Sequence, residues 1–129
     1  MSQPSNPLHG WQVDPGSIRT LGTGLQRPEC ILAEPNGDLW VADARGGVTH
    51  IRPDGQQRFI GQTRDDSFER APEQSVQDAE AKFTTGTLPN GLAFAANGDI
   101  LISNFGTDVL EVMTREGHTR TLYDRIDGH

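Results

Sequence analysis

Short apolar runs, each bounded by glycine, proline, asparagine or aspartate, recur along much of the chain. This pattern predicts β-strands of about five residues rather than long helices. The first group of runs is CILAEP (30–35), DLWVAD (38–43), VTHIRP (48–53) and QRFIGQ (57–62). Asn36-Gly37 and Asp54-Gly55 separate them, and such pairs favour tight hairpin turns because both residues tolerate positive φ. Four antiparallel strands are therefore predicted over residues 28–61.

The same pattern occurs again over residues 88–124. The second group of runs is GLAFAA (91–96), DILISN (99–104), VLEVMT (109–114) and TRTLYD (119–124). With Pro28 set on Pro89, Asn36-Gly37-Asp38 coincides with Asn97-Gly98-Asp99. After a one-residue insertion, Gly55 coincides with Gly117. His50 aligns with Glu111 and is expected to lie on an exposed face. Repeated four-stranded units predict an all-β protein of the β-propeller type with about two blades. A β-sandwich is the alternative, but it predicts no repeat.

The predicted organisation is an N-terminal tail (1–16) followed by a partial β-propeller (17–129). Ser17–Leu21 resembles the start of the last run and is predicted to be a closing outer strand. Residues 62–87 form an acidic insertion between the blades (28–61 and 88–124), predicted as a short helix after Pro72 or as a loop. Blades take about 40 residues and rings need roughly four to eight of them. We therefore expect a fragment, or a chain that self-associates or binds a partner chain to complete a propeller.

The net charge, the apolar runs and the cysteine count limit the classes of function that this chain can have. The 129 residues carry a formal net charge of −7, which disfavours nucleic acid and anionic membranes as partners. No run approaches the ~18 apolar residues of a membrane helix, and the first residues do not read as a secretory signal. Cys30 is the single cysteine, so no intrachain disulfide can form. A cytoplasmic location is expected.

Two polar residues occupy equivalent places in the repeat. Glu29 and Asn90 each lie just before the first strand of a blade, where a propeller's central channel begins. A carboxylate and an amide oxygen are hard donors that suit Ca²⁺, Mg²⁺ or Mn²⁺, although Pro-Glu and Pro-Asn-Gly are also ordinary turn sequences.

Other polar and aromatic positions are expected to be structural. Asp43 and Asn104 end equivalent strands and are expected to bond to turn backbone. Cys30 is expected to be a buried thiol turned away from the channel, and Trp40 to be core between the blades.

The stretches RPECILAEPNGDLWVADARGG (27–47) and LPNGLAFAANGDILISNFGTD (88–108) resemble the gluconolactonase/regucalcin family, also called senescence-marker-protein-30-like. This resemblance implies a six-bladed propeller with one divalent metal ion (Ca, Mg, Mn or Zn) in its channel. It implies that Glu29 and Asn90 are metal ligands. The family's aspartate, a ligand and general base, and its second asparagine have no match here. The family also places more chain between its glutamate and the asparagine of Asn-Gly-Leu.

The resemblance implies a metal-dependent hydrolase of a sugar lactone or related cyclic ester, or a fragment of one, whose ligand is a small lactone or sugar acid. The alternatives are a propeller-type binding module without chemistry and an incomplete product without activity of its own.

Overall fold

The structure is a computed structural model that describes residues 6–64 and 87–124. These residues form nine strands and, apart from one 3-10 turn at Pro15–Ser17, no helix. The strands make two sheets, of four and five strands, and neither closes on itself in this part of the chain. None of the described segments is a helix long and apolar enough to cross a membrane. The predicted all-β class is confirmed.

Sheet one is an antiparallel meander whose strands lie side by side in chain order. Its strands are β1 (Ile31–Ala33), β2 (Leu39–Asp43), β3 (Gly47–Ile51) and β4 (Gln57–Gly61). Gly37 and Gly55 have φ of 91° and 86° in the turns before β2 and β4, a conformation that glycine adopts without a steric cost. Strands β1, β2 and β4 lie within the corresponding predicted runs, and β3 begins one residue before its run, at Gly47.

Sheet two repeats this meander. Its strands are β6 (Pro89–Phe94), β7 (Ile100–Asn104), β8 (Val109–Met113) and β9 (His118–Tyr123). A fifth strand, β5 (Thr63–Arg64), leaves the end of sheet one and pairs in parallel with β9. The sequence pattern did not predict β5. The expected helix after Pro72 lies outside the described residues.

The strand register corrects the alignment of the two repeats. Thr49 pairs with Val41 in sheet one, and Glu111 pairs with Ile102 in sheet two. Val41 and Ile102 are repeat equivalents, so Glu111 corresponds to Thr49 and not to His50. The extra residue lies in the turn after β7, which spans 105–108 where sheet one has 44–46.

The two sheets pack face to face around an apolar core. The buried members of this core come from both sheets and are Trp40, Val48, Ile60, Ile100, Ile102 and Met113. Leu32, Leu92 and Phe94 pack against them from the first strands. Strand β6 lies against β1 and β2, so the first strands of the two sheets are neighbours. The prediction that Trp40 is core between the two units is confirmed.

A polar and aromatic cluster closes one end of this core. The Arg115 guanidinium donates to Glu34 at 2.7 and 2.9 Å and lies 4.8 Å from the centre of the Trp40 ring. Trp40 Nε1 donates to Glu34 Oε2 at 2.7 Å. His50 stacks on Trp40 with ring centres 4.2 Å apart, and its Nε2 lies 3.0 Å from Asp38. The prediction that His50 lies on an exposed face is wrong, because His50 pairs with Trp40 across the sheet and lies on the side that packs against sheet two.

Two carboxyl groups link the stability of this fold to pH. Hydrogen bonds from Arg115 and Trp40 lower the pKa of Glu34. Burial raises the pKa of Asp43, but the bonds from Arg45 and Thr49 outweigh it, so the net shift is downward. Groups with lowered pKa values stabilise the fold above their unfolded values of about 4, and this stabilisation is lost as the pH falls through the folded values.

We therefore expect the free energy of unfolding in urea to fall as the pH drops from about 5 to below 4. Glu34→Gln should make the free energy of unfolding fall less over this pH range, by up to about 1 kcal/mol. This is the usual contribution of a partly exposed ion pair. Glu116→Gln, an exposed carboxylate in the turn after β8, is the control and should keep the wild-type slope. An unchanged slope in Glu34→Gln would contradict the assignment.

The N-terminal segment runs along the outer side of sheet one. Thr23 N donates to Gln57 Oε1 at 2.9 Å, and Gln57 Nε2 donates back to Thr23 O. Ile18 is extended, with φ −73° and ψ 127°, but residues 18–21 pair with no strand among the described residues. The closing outer strand at Ser17–Leu21, which would pair with the last blade of a closed propeller, stays a prediction.

Candidate functional site

A tight turn presents Glu29 at the start of sheet one. Glu29 N donates to Arg27 O at 2.8 Å, which closes a three-residue turn around Pro28. Arg27 has φ of 45°, a left-handed conformation that few residues other than glycine adopt. The turn brings the Arg27 guanidinium to 2.5 Å from Glu29 Oε1. Backbone outliers of this kind concentrate at binding sites, where the surrounding structure holds them in place.

A β-bulge presents Asn90 at the start of sheet two. Pro89 pairs with Asn104 and Gly91 pairs with Ser103, so Asn90 is the extra residue of β6. A bulge redirects the side chain of its extra residue, and bulges are frequent next to active sites. The Asn90 side chain consequently leaves the regular alternation of the strand.

The turn and the bulge bring the two predicted ligand residues together. Asn90 Nδ2 donates to Glu29 Oε2 although the residues are 61 positions apart. Glu29 thus has Arg27 on one carboxylate oxygen and Asn90 on the other. The side chains of Arg27 and Glu29 are 44% and 40% exposed, so a ligand can reach this cluster from solvent. We call Arg27, Glu29 and Asn90 the strand-start cluster.

Two depressions adjoin the strand-start cluster. A small one is lined by the cluster itself together with Ala44, Leu88, Pro89 and Phe105. An open groove of about 400 Å³ lies beside it on sheet two, lined by Asn90, Ser103, Asn104, Phe105, Asp108, Val109 and Leu110. Asn90 and Phe105 line both depressions, and the Phe105 side chain is 59% exposed. The larger groove therefore combines amide, hydroxyl and carboxylate groups with one accessible aromatic ring.

Asn104 anchors the segment that carries Asn90. Its Oδ1 accepts from Leu88 N at 2.9 Å and from Gly106 N at 3.1 Å, and the side chain is buried. In sheet one, the equivalent Asp43 accepts from Arg45 N at 3.0 Å and from the Arg45 guanidinium at 2.7 Å. The prediction that Asp43 and Asn104 bond to turn backbone is confirmed.

A buried polar network lies behind Asn104. Glu111 is fully buried, forms an ion pair with Arg64 and accepts from Gln62 Nε2 at 2.7 Å and Asn104 Nδ2 at 3.0 Å. Thr87 Oγ1 donates to Gln62 Oε1 at 2.6 Å. We call Gln62, Arg64, Thr87, Asn104 and Glu111 the buried network. Through Asn104 it connects the base of the acidic insertion to the strand-start cluster.

The strand-start cluster contains the kinds of donor atom that a hard cation prefers. One carboxylate and one amide are adjacent, and an amide half-turn would place Asn90 Oδ1 where Nδ2 now lies. The Arg27 guanidinium competes for the same carboxylate. Across residues 6–64 and 87–124, no three His, Cys, Asp or Glu side chains come together in a way that could hold a metal ion.

Cys30 directly follows Glu29 and contacts sheet two through its thiol. Leu92 N donates to its Sγ at 3.2 Å. The thiol is half-buried and not fully buried as predicted, and it faces sheet two.

Comparison with family models, with curated proteins and with solved structures finds no match. The resemblance to the gluconolactonase/regucalcin family therefore depends on the motifs quoted above.

Sequence reasoning missed Arg27, Phe105 and Glu111. Arg27 directly precedes Pro-Glu, and a basic residue two positions from a candidate ligand was the available signal for it. The role of Glu111 follows from alternation along β8, but only once the extra residue is placed in the turn at 105–108. Nothing in the sequence distinguishes Phe105 from an ordinary turn residue.

Proposed function

We propose that this chain forms two adjacent blades of a β-propeller, and that the strand-start cluster is part of a divalent-cation site serving hydrolysis of a lactone or related cyclic ester. One observation carries the proposal. Glu29 and Asn90, which are repeat equivalents, meet between the first strands of neighbouring sheets. In a propeller the first strands line the central channel, so this contact lies where a channel ligand would bind.

The packing of the sheets supports the propeller part of the proposal. The core side of sheet two presents Ile100, Ile102 and Met113. The equivalent residues of sheet one, Leu39, Val41 and Ile51, lie on the side that faces away from sheet two. Successive sheets therefore stack in the same sense, as blades do, whereas two sheets of a sandwich turn equivalent faces toward each other.

Each residue of the cluster has a distinct part in the proposed site. The Glu29 carboxylate supplies charge and the Asn90 amide supplies a neutral oxygen, while Arg27 holds Glu29 in place and balances its charge. A bound divalent cation would polarise a carbonyl group and acidify a bound water. The groove on sheet two offers Ser103 and Asp108 as hydrogen-bonding groups for the hydroxyls of a sugar-like molecule. None of the described residues is assigned as the general base.

Isothermal titration with Ca²⁺ and with Mn²⁺ tests the cation site. We expect Glu29→Gln to weaken binding at least about tenfold, the lower bound for disturbing even an outer partner of a metal ligand. Arg27→Gln should strengthen binding several-fold, because repulsion between exposed charges at contact distance is on the order of 1 kcal/mol.

Glu116→Gln, at the opposite end of sheet two, is the matched control and should bind as the wild type does. Equal affinities of wild type and Glu29→Gln for these cations would contradict the proposed cation site. Lactone hydrolysis followed with a pH indicator then tests the reaction separately, with Glu29→Gln as the inactive control.

The groove favours a second function, a binding module without chemistry. About 400 Å³ is enough for a small polyhydroxylated molecule, and an exposed ring beside polar groups is suited to one face of such a molecule. Under this alternative, a sugar acid would perturb the NMR signals of Ser103 and Asp108 without any added cation, and Glu29→Gln would not change its affinity.

A further inference from the structure

The last residues of β2 and β7, Asp43 and Asn104, are repeat equivalents with different partners. The Asp43 carboxylate accepts from the Arg45 guanidinium at 2.7 Å and from Thr49 Oγ1 at 2.9 Å. Within the described residues, the Asp43 side chain makes no hydrogen bond to the segment before β1. In sheet two, Gly106 stands where sheet one has Arg45, so this arginine has no counterpart beside Asn104. The Asn104 amide bonds to the segment before β6 instead.

Asn104 and the residue after it hold Leu88 from two sides. Leu88 N donates to Asn104 Oδ1 at 2.9 Å, and Leu88 O accepts from Phe105 N at 3.0 Å. Leu88 is 5% exposed, and a buried backbone N–H needs an acceptor within the protein. Leu88 lies two residues before Asn90, and Pro89 between them pairs with Asn104. The Asn104 side chain therefore fixes the point at which the bulge begins.

The neighbours of Asn104 require an amide at this position. Its Oδ1 accepts from the backbone, whereas its Nδ2 donates to Thr87 Oγ1 at 2.5 Å and to Glu111 Oε2 at 3.0 Å. The Thr87 hydroxyl donates its own hydrogen to Gln62, so toward Asn104 it can only accept. One end of the side chain must accept while the other end donates, and a carboxylate can only accept.

We propose that Asn104 is the positioning residue of the strand-start cluster, because it fixes the bulge that brings Asn90 against Glu29. The inference rests on the proposed function only where it concerns cation affinity, since the contact between Asn90 and Glu29 forms without a cation. In sheet one, Asp43 leaves the preceding segment free, and a turn around Pro28 presents Glu29 instead. The exchange of aspartate for asparagine between the repeats is thus the reason that the second ligand residue is presented by a bulge.

Asn104→Asp tests the proposal because it keeps the size of the side chain and the acceptor oxygen but removes the donor. The new carboxylate oxygen faces Glu111 Oε2, and two carboxylates this close repel each other. At about pH 8 a proton shared between them is disfavoured. We expect Leu88 N to lose its acceptor and Asn90 to leave Glu29. Adding Glu111→Gln in a double variant should restore the fit, because the glutamine amide can donate to the new carboxylate.

The side-chain amide signals of Asn90 in a proton–nitrogen correlation spectrum report this contact without any cation. Asn90→Ala identifies these signals, and Glu29→Ala gives the position that they take when the contact is absent. In Asn104→Asp the signals should move to that position, and in the double variant they should return to the wild-type position. Asn97→Asp, an exposed exchange of the same kind in the turn before β7, is the control and should leave them unchanged. Far-ultraviolet circular dichroism verifies that each variant keeps its strands.

Titration with Ca²⁺ extends the test to the proposed cation site. A negative charge added near the cluster would by itself strengthen cation binding. Displacement of Asn90 should instead weaken it about tenfold or more, the usual effect of changing an outer partner of a metal ligand. Weaker binding by Asn104→Asp, with recovery in the double variant, is therefore the expected result.

Asn90 signals that keep their wild-type position in Asn104→Asp overturn the proposal, and so do signals that move but are not restored in the double variant. Thr87→Val removes one acceptor of the Asn104 amide without a change of charge. It should move the same signals in the same direction by a smaller amount, and no movement also counts against the proposal. A wild type that binds no Ca²⁺ would contradict the cation site alone, because the spectra test Asn104 without a cation.

Discussion

Glu111→Gln is expected to lower the free energy of unfolding by about 3–5 kcal/mol, the usual effect of removing one partner from a buried ion pair. Glu111 is fully buried, and its carboxylate pairs with Arg64 and accepts hydrogen bonds from Gln62 and Asn104. The glutamine keeps the size of the side chain but removes the negative charge that Glu111 places against Arg64 in the buried network. Urea unfolding followed by circular dichroism measures the loss.

Two further variants separate the ion pair from other causes. Glu116→Gln removes an exposed carboxylate near the end of the same strand and should change stability by no more than about 0.5 kcal/mol. Combining Glu111→Gln with Arg64→Met removes both charges and should recover part of the lost stability. A double variant less stable than Glu111→Gln alone would show that the loss does not come from an uncompensated charge.

Trp40→Ala is expected to cost about 3–5 kcal/mol, the range for removing a large aromatic side chain from a core. Trp40 is 3% exposed, stacks on His50 and donates to Glu34. Its removal opens a cavity between the sheets and also takes one hydrogen bond from the carboxylate that pairs with Arg115. We therefore expect Trp40→Ala to weaken the contact between the sheets and also to destabilise each sheet.

The chain supplies its own control for this change. Trp11 is 68% exposed, so Trp11→Ala should leave the urea midpoint nearly unchanged. In a Trp11→Phe background the fluorescence reports Trp40 alone, and its emission should shift to longer wavelength on unfolding. Equal losses for Trp40→Ala and Trp11→Ala would contradict the position of Trp40 in the core.

The positions of the strands were predictable because they depend on short-range features of the sequence. These features are the alternation of apolar and polar residues and the residue types that favour turns. Asn36-Gly37 and Asp54-Gly55 mark hairpins with no information from the rest of the chain. The repeat also predicted that Glu29 and Asn90 occupy equivalent places, and the structure brings their side chains into contact.

The register of the second repeat was not predictable in the same way. Residues of β3 and β8 fit a strand in either alignment, so the extra residue had no unique position in the sequence. A slip of one residue exchanges the two sides of a strand. That slip aligned His50 with Glu111 and suggested that His50 is exposed, although Glu111 lies in the buried network and His50 stacks on Trp40.

Two other features depend on contacts between distant parts of the chain. Arg27 adopts a left-handed backbone that its sequence context disfavours, since a residue before proline prefers extended conformations. Strand β5 has two residues and forms only because sheet two presents an edge beside the end of β4. Neither follows from local propensity.

The acidic insertion departs from the sheets and returns to them at almost the same place. Arg64 and Thr87 are within hydrogen-bonding distance, at 3.3 Å, and Thr87 is also bonded to Gln62. Closing a flexible segment costs only about 0.6 kcal/mol more for each doubling of its length, so we expect residues inserted between these two anchors to cost the sheets little. Arg64 and Thr87 thus mark a place where a segment can be lengthened, shortened or exchanged. We expect both meanders to keep their hydrogen bonds when this is done.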